Sequence, residues 1–394
     1  RCWKTPWPEA GPNTPPLFDN RYCEGYILFS LITTGHLWIR GGKDATVARL
    51  AVALSGGVDS TVAAFLLRQE GHEVHGYSLR LGQGPDEAWR AGAAAAAQLG
   101  LPHRVVEAAS EFEARVVAPC VAAYAAGRTP NPCAWCNARV KLPLLWAAAA
   151  ADGCQALATG HYARLETSPD GVQLAEGLDP RKSQAYFLAR VDAGLLERLR
   201  FPLGSLTKSR VRELARAEGL LAAQRPESQD GCFLPPGGWD ELMAGHGALR
   251  PGPIEDDQGR LLGRHRGVHG FTIGQRRGLG VALGYPAYVL ALDGQRAAVK
   301  VGPPEGLVSS GLVGGRWLWR QPPEQCPDLM VRVRYAHQGV GCRVVRTRDT
   351  CEVHFNAPQR AVAPGQLAVL FSRGVVVGSA WIERALERID GRAS

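Results

Sequence analysis

Residues 50–60 read Leu-Ala-Val-Ala-Leu-Ser-Gly-Gly-Val-Asp-Ser, and this stretch decides the fold of the 394-residue chain. The apolar run at 50–54 is typical of a short buried strand, and the pattern from Thr61 to about Glu70 predicts a helix. The glycine-rich turn between them can fold its backbone N–H groups around an anion, which the helix dipole also attracts. An ordinary tight turn is the alternative, but the intact run at 55–60 favours an anion-binding loop.

Strand-like and helix-like segments alternate along the next hundred residues. The predicted strands are 74–79, 104–107 and 155–158, and the predicted helices are 86–99, 111–126 and 142–151. This alternation predicts an α/β fold in which a doubly wound parallel sheet is covered by helices on both faces. Ligands of such sheets bind beyond the carboxyl ends of the strands.

The composition of the sequence changes after about Gly238, where Gly and Pro become frequent and long helical patterns end. Short β-like runs from about Leu312 onward predict a small antiparallel barrel. We therefore predict an α/β domain at 48–238 that carries the anion-binding turn, a small central domain at 239–306 and a C-terminal β-barrel at 307–394. Residues 1–47 match none of this pattern and are interpreted as an extension that is disordered or not native.

The formal charge of +8 favours an anionic partner such as nucleic acid, although many soluble proteins are mildly basic. Ten cysteines are too sparse for a disulfide scaffold. The close pair Cys133 and Cys136 indicates redox, metal or sulfur chemistry in a reducing compartment. The apolar segment 26–39 is interrupted by polar residues and is too short for a membrane span. The expected location is therefore the cytoplasm, without a membrane partner.

Several motifs resemble those of one enzyme family. Residues 127–137 read Gly-Arg-Thr-Pro-Asn-Pro-Cys-Ala-Trp-Cys-Asn, which is similar to the GRTPNP-x-x-x-CN signature of the bacterial and mitochondrial tRNA-specific 2-thiouridylases. Residues 55–60 look like the pyrophosphate loop of the ATP pyrophosphatase superfamily. Further segments resemble motifs of the same family in the same order, at 158–164, 182–188, 231–233, 270–280, 334–335 and 364–366. The resemblance runs from about Arg49 to about Arg384.

This resemblance implies ATP-dependent 2-thiolation of the wobble uridine in the anticodon loop of tRNA, with ATP and Mg²⁺ as cofactors. It makes residues 48–238 the ATP-binding catalytic domain and residues 239–306 a domain that contacts the tRNA. Adenylation would convert the C2 oxygen into a leaving group, and a sulfur nucleophile would then attack C2, giving 2-thiouridine, AMP and pyrophosphate. By resemblance, Cys232 carries a persulfide and Cys136 assists or resolves it, with a Cys136–Cys232 disulfide as by-product. A lone cysteine is otherwise more often a small buried hydrophobe. The implied partners are tRNA and a sulfur-donor protein such as a cysteine desulfurase or a sulfur relay protein.

The same resemblance assigns two further groups of residues. The group expected at ATP comprises Ala53, Leu54, Ser55, Gly56, Gly57, Val58, Asp59, Ser60, Leu79 and Gly160. The group expected at the tRNA or its target base comprises Asn131, Pro132, Cys133, His161, Lys182, Ser183, Gln184, Arg334, Tyr335 and Gln366. Without the resemblance, Leu79 is equally well explained as an ordinary apolar residue of a strand, and His161 as a histidine with a structural role.

Cys133 departs from the family pattern, because many members carry Asp there, usually with an acid/base role beside the target base. A thiol can also shuttle a proton, but its ordinary pKa is much higher. Alternatively, Cys133, Cys136 and Cys232 hold a [4Fe-4S] cluster with one iron open for a sulfide, or else zinc. Two cysteines already suffice for the chemistry, so we favour the persulfide route without a metal.

Two rival functions remain open at this stage. A small-molecule amidase-ligase of the same superfamily would also split ATP, but the paired cysteines and the basic barrel argue against it. A non-catalytic RNA-binding protein would carry a degenerate loop, whereas residues 55–60 are intact. Release of AMP and pyrophosphate separates the enzymes from the binding protein.

Overall fold

The computed structural model describes residues 47–82, 87–169, 171–225, 231–347 and 350–387. Apart from Val47, the extension predicted at 1–47 lies outside the described residues. Within them, the strands are β1 Arg49–Ala53, β2 Glu73–Arg80, β3 His103–Glu107, β4 Ala156–Ala158, β5 Ala163–Ser168, β6 Gly171–Glu176, β7 Leu199–Arg200, β8 Gly252–Glu255, β9 Leu261–His265, β10 Tyr288–Asp293, β11 Ala298–Gly302, β12 Val308–Trp319, β13 Met330–Arg332, β14 Val340–Arg346, β15 Cys351–Arg360, β16 Leu367–Ser372 and β17 Val375–Glu387.

The helices of the same described residues are α1 Val58–Gln69, α2 Glu87–Gln98, α3 Ala109–Phe112, α4 Ala118–Ala125, α5 Pro132–Cys136, α6 Leu142–Ala151, α7 Ala185–Leu188, α8 Ala193–Leu196, α9 Lys208–Ala217 and α10 Gly238–Gly245. The π-helical turn Glu113–Val117 joins α3 to α4, and a second one, Asn137–Lys141, joins α5 to α6. Short 3₁₀ turns are Leu221–Gln224, Val268–Gly270, Pro304–Leu307 and Pro323–Gln325. None of the helices in this described part has both the length and the apolar composition that crossing a bilayer requires.

The first sheet has the strand order β3-β2-β1-β4-β7, and all neighbouring strands run parallel. Successive residues of a strand point to opposite faces. Leu50 and Val52 of β1 accordingly pack with α1 and α9, whereas Ala51 packs with Leu142 and Leu145 of α6. Helices therefore cover both faces, and the predicted doubly wound parallel sheet is confirmed.

The strand order places the switch point of this sheet between β1 and β4, where Val52 pairs with Ala158. The chain leaves β1 into the glycine-rich turn at 55–60, and it leaves β4 into residues 159–162. Both segments therefore emerge side by side at the carboxyl edge of the sheet. This crevice is where doubly wound folds bind their ligands.

Two β-rich units follow along the chain, and the first is a mixed sheet because β11 runs parallel to β8. Strands β8–β11 form a four-stranded sheet within the described residues, in the order β10-β11-β8-β9, around a core that includes Ile254 and Val299. Strands β12-β15-β14-β13-β16-β17 close into a barrel through the pairing of β12 with β17, which confirms the predicted C-terminal barrel. Unexpectedly, the hairpin β5–β6 from the first part of the chain extends this sheet, because Ala175 pairs with Val375.

The barrel also holds the loop that precedes α5. Gln366 donates through Nε2 to the Thr129 carbonyl oxygen (3.2 Å), and the Thr129 N–H donates to the Pro364 carbonyl (2.9 Å). The Tyr186 hydroxyl donates to the Leu367 carbonyl at 2.6 Å. These bonds fix the start of the helix that ends at Cys136.

Candidate active site

The turn at 55–60 is held rigidly by its own hydrogen bonds. Gly57 caps α1, and the Ser60 hydroxyl accepts from the Ser55 N–H (3.2 Å) and donates to the Gly57 carbonyl (3.1 Å). Gly56 has a φ of +70°, and a Cβ there would lie 2.3 Å from the Cβ of Ala91. Only glycine fits this position without displacing α2, so the turn keeps a fixed shape for a ligand.

Four apolar residues that were predicted at ATP lie in or against the hydrophobic core. Leu54 and Val58 are buried, and the partly buried Ala53 and Leu79 pack against the core clusters. Their side chains stabilise the strands and the turn. A role at ATP therefore belongs to their main-chain groups and remains a prediction.

Gly160 brings the segment after β4 into contact with the turn. A Cβ at Gly160 would lie 2.7 Å from the backbone nitrogen of Ser60 and 2.7 Å from the carbonyl carbon of Asp59. A side chain there would push the two segments apart. Its predicted place beside the ATP turn agrees with this geometry.

An ion pair that the sequence did not reveal lies at the same edge of the sheet. Lys208, the first residue of α9, donates from Nζ to both carboxylate oxygens of Asp59 (2.7 Å each), and Lys208 is largely buried. The Tyr162 hydroxyl donates to Asp59 Oδ1 at 2.8 Å, and the ammonium group lies 5.7 Å from the centre of that ring. Lys208 and Asp59 are 149 positions apart, and no sequence motif links them.

The two thiols assigned to sulfur chemistry lie within electrostatic reach of each other. Both are free cysteines; Cys136 is half-buried at the end of α5, and Cys232 is exposed. Burial raises the pKa of the Cys136 thiol to about 11, Lys141 opposes that rise, and the neighbouring Cys232 and Cys133 add to it. Desolvation also raises the pKa of Cys232, again opposed by Lys141. Lys141 is therefore the cation that both thiols share.

Lys141 also contacts His161, so that the histidine belongs to the same site. Its Nζ lies 3.2 Å from His161 Nε2, and His161 Nδ1 lies 2.8 Å from the Thr159 hydroxyl. Burial and the nearby Lys141 lower the pKa of His161 well below its usual value. The neutral ring therefore accepts from Lys141 at Nε2 and donates from Nδ1 to Thr159. Sequence reasoning missed Lys141, whose only signal is its position five residues after Cys136.

Replacing Lys141 by methionine is expected to slow alkylation of Cys136 and Cys232 by iodoacetamide about tenfold, because each lost pKa unit of thiolate stabilisation costs a factor of ten in thiolate. In the unaltered protein, the alkylation rate of Cys136 should rise about tenfold per pH unit between pH 7 and 9, since its pKa lies above this range. Mass spectrometry of the labelled peptides measures both effects.

The matched control is Lys300→Met, which removes an exposed lysine from β11. It should leave both alkylation profiles unchanged. Equal or faster labelling of the thiols in Lys141→Met would show that this lysine does not stabilise the thiolates.

Several polar side chains predicted at the tRNA hydrogen-bond to the backbone of nearby loops. Asn131 Oδ1 accepts from the Ala134 N–H at 3.1 Å and caps α5, whose first residue is Pro132. The buried Ser183 hydroxyl accepts from the Gly177 N–H, and Gln184 Oε1 accepts from the Tyr162 N–H at 3.1 Å. The Gln366 amide binds the carbonyls of 129 and 130. Direct contact of these groups with tRNA remains a prediction.

The barrel residues Arg334 and Tyr335 reach the helix α7. Tyr335 packs on Phe187 with ring centres 4.5 Å apart, and the Asn137 amide donates to the Phe187 carbonyl at 3.3 Å. Arg334 is exposed beside this contact and acts electrostatically on Tyr186. Lys182, just before α7, is half-buried. The structure thus brings these motif residues to the neighbourhood of the thiol helix.

The same geometry bears on the alternative of a metal site at Cys133, Cys136 and Cys232. Among the described residues, no group of three or more His, Cys, Asp or Glu side chains is placed to hold a metal ion. Cys133 is exposed near the start of α5, whereas Cys136 is half-buried at its end. In this arrangement, Cys133, Cys136 and Cys232 do not form the ligand set of an iron–sulfur cluster or of zinc.

Comparison with known proteins gives consistent matches along the chain. Residues 48–236 match the family described as tRNA methyl transferase HUP domain, residues 240–303 the tRNA methyl transferase PRC-barrel domain, and residues 311–382 the aminomethyltransferase beta-barrel domain. The chain is 41% identical to the tRNA-specific 2-thiouridylase MnmA of Roseiflexus castenholzii, over 86% of this chain and 100% of that protein. It is 42% identical to the protein of the same name from Magnetococcus marinus, over 85% and 98% of the two chains.

Among solved structures, one similar chain covers less than half of this one. The NMN synthetase of Francisella tularensis is 16% identical, with a TM-score of 0.32, over 46% of this chain and 67% of that one.

Proposed function

Because the chain belongs to the tRNA-specific 2-thiouridylase family, we propose that it replaces the C2 oxygen of the wobble uridine in tRNA by sulfur. The protein is accordingly an enzyme of tRNA modification, a sulfurtransferase. The observation that carries the proposed chemistry is the shared environment of Cys136, Cys232 and Lys141 beside the carboxyl edge of the sheet. The matched domain is described as a methyl transferase domain, but the paired thiols favour sulfur transfer over methyl transfer.

The first step proposed is adenylation of the uridine. The turn at 55–60 binds the phosphates of ATP, the C2 oxygen attacks the α-phosphorus, and pyrophosphate leaves. Backbone N–H groups of the turn and the start of α1 stabilise the negative charge. The ion pair with Asp59 holds the Lys208 ammonium group in place at this edge of the sheet. Mg²⁺, when bound with the nucleotide, would neutralise further phosphate charge. The Asp59 oxygens already accept hydrogen bonds from Lys208 and Tyr162.

The second step is sulfur transfer. The terminal sulfur of a Cys232 persulfide attacks C2, and AMP leaves with the former C2 oxygen. The Cys136 thiolate then attacks the Cys232 sulfur, so that the S–S bond to the RNA breaks and 2-thiouridine is released. A Cys136–Cys232 disulfide remains, which a thiol reductant returns to the two free cysteines. The positive charge of Lys141 favours the anionic sulfur that each attack requires, on the persulfide in the first and on Cys136 in the second.

The partners of the reaction follow from this chemistry. A base that reacts must be unstacked into a pocket, which is easiest in a loop such as the anticodon loop. The persulfide must be renewed in each cycle, so we propose that a sulfur-donor protein, such as a cysteine desulfurase or a relay protein, loads Cys232.

The test is nucleoside analysis of bulk tRNA from cells that lack this protein. We expect 2-thiouridine derivatives to disappear and to return with the intact gene but not with a Cys136→Ser gene. In vitro, the purified protein should release AMP and pyrophosphate only when ATP and unmodified tRNA are both present. Unchanged 2-thiouridine, or loss of a methylated nucleoside instead, would contradict the proposal.

Cys133→Asp is expected to retain substantial activity if Cys133 acts as a proton shuttle, because many members of the family carry Asp there. As a cluster ligand, carboxylate is a harder donor and would weaken the site. We expect protein without iron to work in air with ATP, Mg²⁺, a sulfur donor and reductant. Stoichiometric iron and acid-labile sulfide in active, anaerobically purified protein, with activity lost on chelation and regained on reconstitution, would instead support the cluster.

A further inference from the structure

Three arginines and two tryptophans converge next to the thiol helix. Arg139 lies over the ring of Trp135 (5.5 Å to its centre), and Arg190 lies over the ring of Trp381 (5.9 Å). The two indole rings are 5.3 Å apart, which joins α5 to strand β17 of the barrel. Arg190 also donates to the main-chain carbonyl of Arg316 at 2.8 Å. We call these five residues the arginine–tryptophan cluster.

The guanidinium groups of this cluster lie close enough to repel one another. Among the described residues, Arg139, Arg190 and Arg316 form no ion pair with any carboxylate, although the Glu383 side chain lies against the neighbouring Gly315. Burial, and then the charges of Arg139 and Arg316, lower the pKa of Arg190 to about 10. Burial and Arg316 also lower the pKa of Arg139. Arg190 therefore stays charged at neutral pH, and an anion bound to the cluster would relieve the repulsion among its guanidinium groups.

The side chains are also held in place before any ligand arrives. Arg190 donates to the carbonyls of Arg316 and Ser379 (2.8 and 3.0 Å), and stacking on the indoles restricts both Arg190 and Arg139. Ordered guanidinium groups lose little conformational entropy when they bind, and their planar forks match the oxygens of a phosphate. The cluster therefore has the charge, the order and the donor geometry of a phosphate site.

We propose that the arginine–tryptophan cluster binds a backbone phosphate of the RNA substrate, within a few nucleotides of the target uridine. This proposal rests on the proposed function. Trp135 directly precedes Cys136 in α5, so their Cα atoms are about 3.8 Å apart. A phosphate held by Arg139 and Arg316 would fix the register of the RNA strand, so that one base reaches the thiols.

An RNA strand fits this site better than an acidic protein does. Arg139 and Arg190 are only partly exposed and are flanked by the indoles, which leaves a narrow binding edge. A protein partner would need a standard interface of about 800 Å² on each side. A single phosphate group needs only the guanidinium edges.

The test uses Arg139→Gln and Arg316→Asn, singly and together, in the full chain. Asparagine is chosen because Arg316 has a φ of +52°, which asparagine tolerates well. We expect each single change to weaken binding of an unmodified anticodon stem-loop about tenfold, since hydrogen bonds to charged groups are of that order. The double variant should also reduce the salt slope by about 0.7, the value for one single-strand phosphate contact. Arg343→Gln, an exposed barrel arginine, is the charge-matched control and should change affinity less than about twofold.

Further measurements separate a loss of RNA binding from a loss of folding. ATP affinity and the thermal midpoint should stay at the original values, and Arg139→Lys should restore part of the RNA affinity because it keeps the charge. Wild-type RNA affinity and salt slope in the double variant would overturn the phosphate site. The same conclusion would hold if RNA binding stayed normal and only loading by a sulfur-donor protein were lost. If the unaltered protein forms no 2-thiouridine, the proposed function fails instead, which is a separate result.

Discussion

Replacing either Cys136 or Cys232 by serine is expected to reduce formation of 2-thiouridine by on the order of 10³-fold or more, the scale seen when a nucleophile is removed. Serine has neither a sulfur to carry nor a thiolate to resolve a disulfide. Pyrophosphate release in the adenylation step should persist, since the turn at 55–60 and Lys208 are untouched. Liquid chromatography with mass spectrometry of digested tRNA, without added thiol, measures the product.

The two serine variants should differ in one informative way. In Cys136→Ser, sulfur attack by the Cys232 persulfide leaves the RNA joined to Cys232 through a disulfide, because no second thiol resolves it. Dithiothreitol should release this RNA with a 2-thiouridine. In Cys232→Ser, no such adduct should form.

Cys326→Ser provides the matched control, because this half-buried cysteine lies at the barrel, outside the thiol site. It should be fully active. A wild-type amount of 2-thiouridine from either Cys136→Ser or Cys232→Ser would contradict the proposed roles of these thiols. An RNA–protein adduct that forms in both variants would contradict them as well.

Gly57→Ala is expected to block adenylation by at least about 100-fold while leaving the fold intact. A Cβ at Gly57 would have only the Ser55 hydroxyl near it, at 3.5 Å, and the φ of −77° suits any residue. The protein itself therefore has room for the methyl group. Only a phosphate bound against the turn would meet it, so ATP-dependent AMP release should fail while tRNA binding persists.

Gly245→Ala serves as the matched control, because a Cβ there meets nothing within 4 Å. Both variants should keep the original thermal midpoint. Asp59→Ala is a less clean test of the same turn, since it would leave the largely buried Lys208 without its carboxylate. Normal AMP release by Gly57→Ala would show that ATP phosphates do not lie against this turn.

The sequence by itself determined the local structure on which the site is built. A buried apolar run, a glycine-rich turn and a helix at 50–70 follow from neighbouring residues, because strand burial, positive φ and helix capping act over a few positions. Alternation of such units predicted the doubly wound sheet, and the motif around Cys136 predicted the chemistry. The barrel was predicted from short strands and turns in the same way.

Only the tertiary structure decided which distant residues share the site. It placed Lys208 on Asp59, Lys141 between His161 and the thiols, and Trp135 against Trp381. It also showed that the side chains of Asn131, Ser183, Gln184 and Gln366 hold loops, and that the hairpin β5–β6 extends the barrel sheet. These contacts join positions far apart in the chain, and they depend on how sheets, helices and barrel pack, which no local pattern of residues encodes.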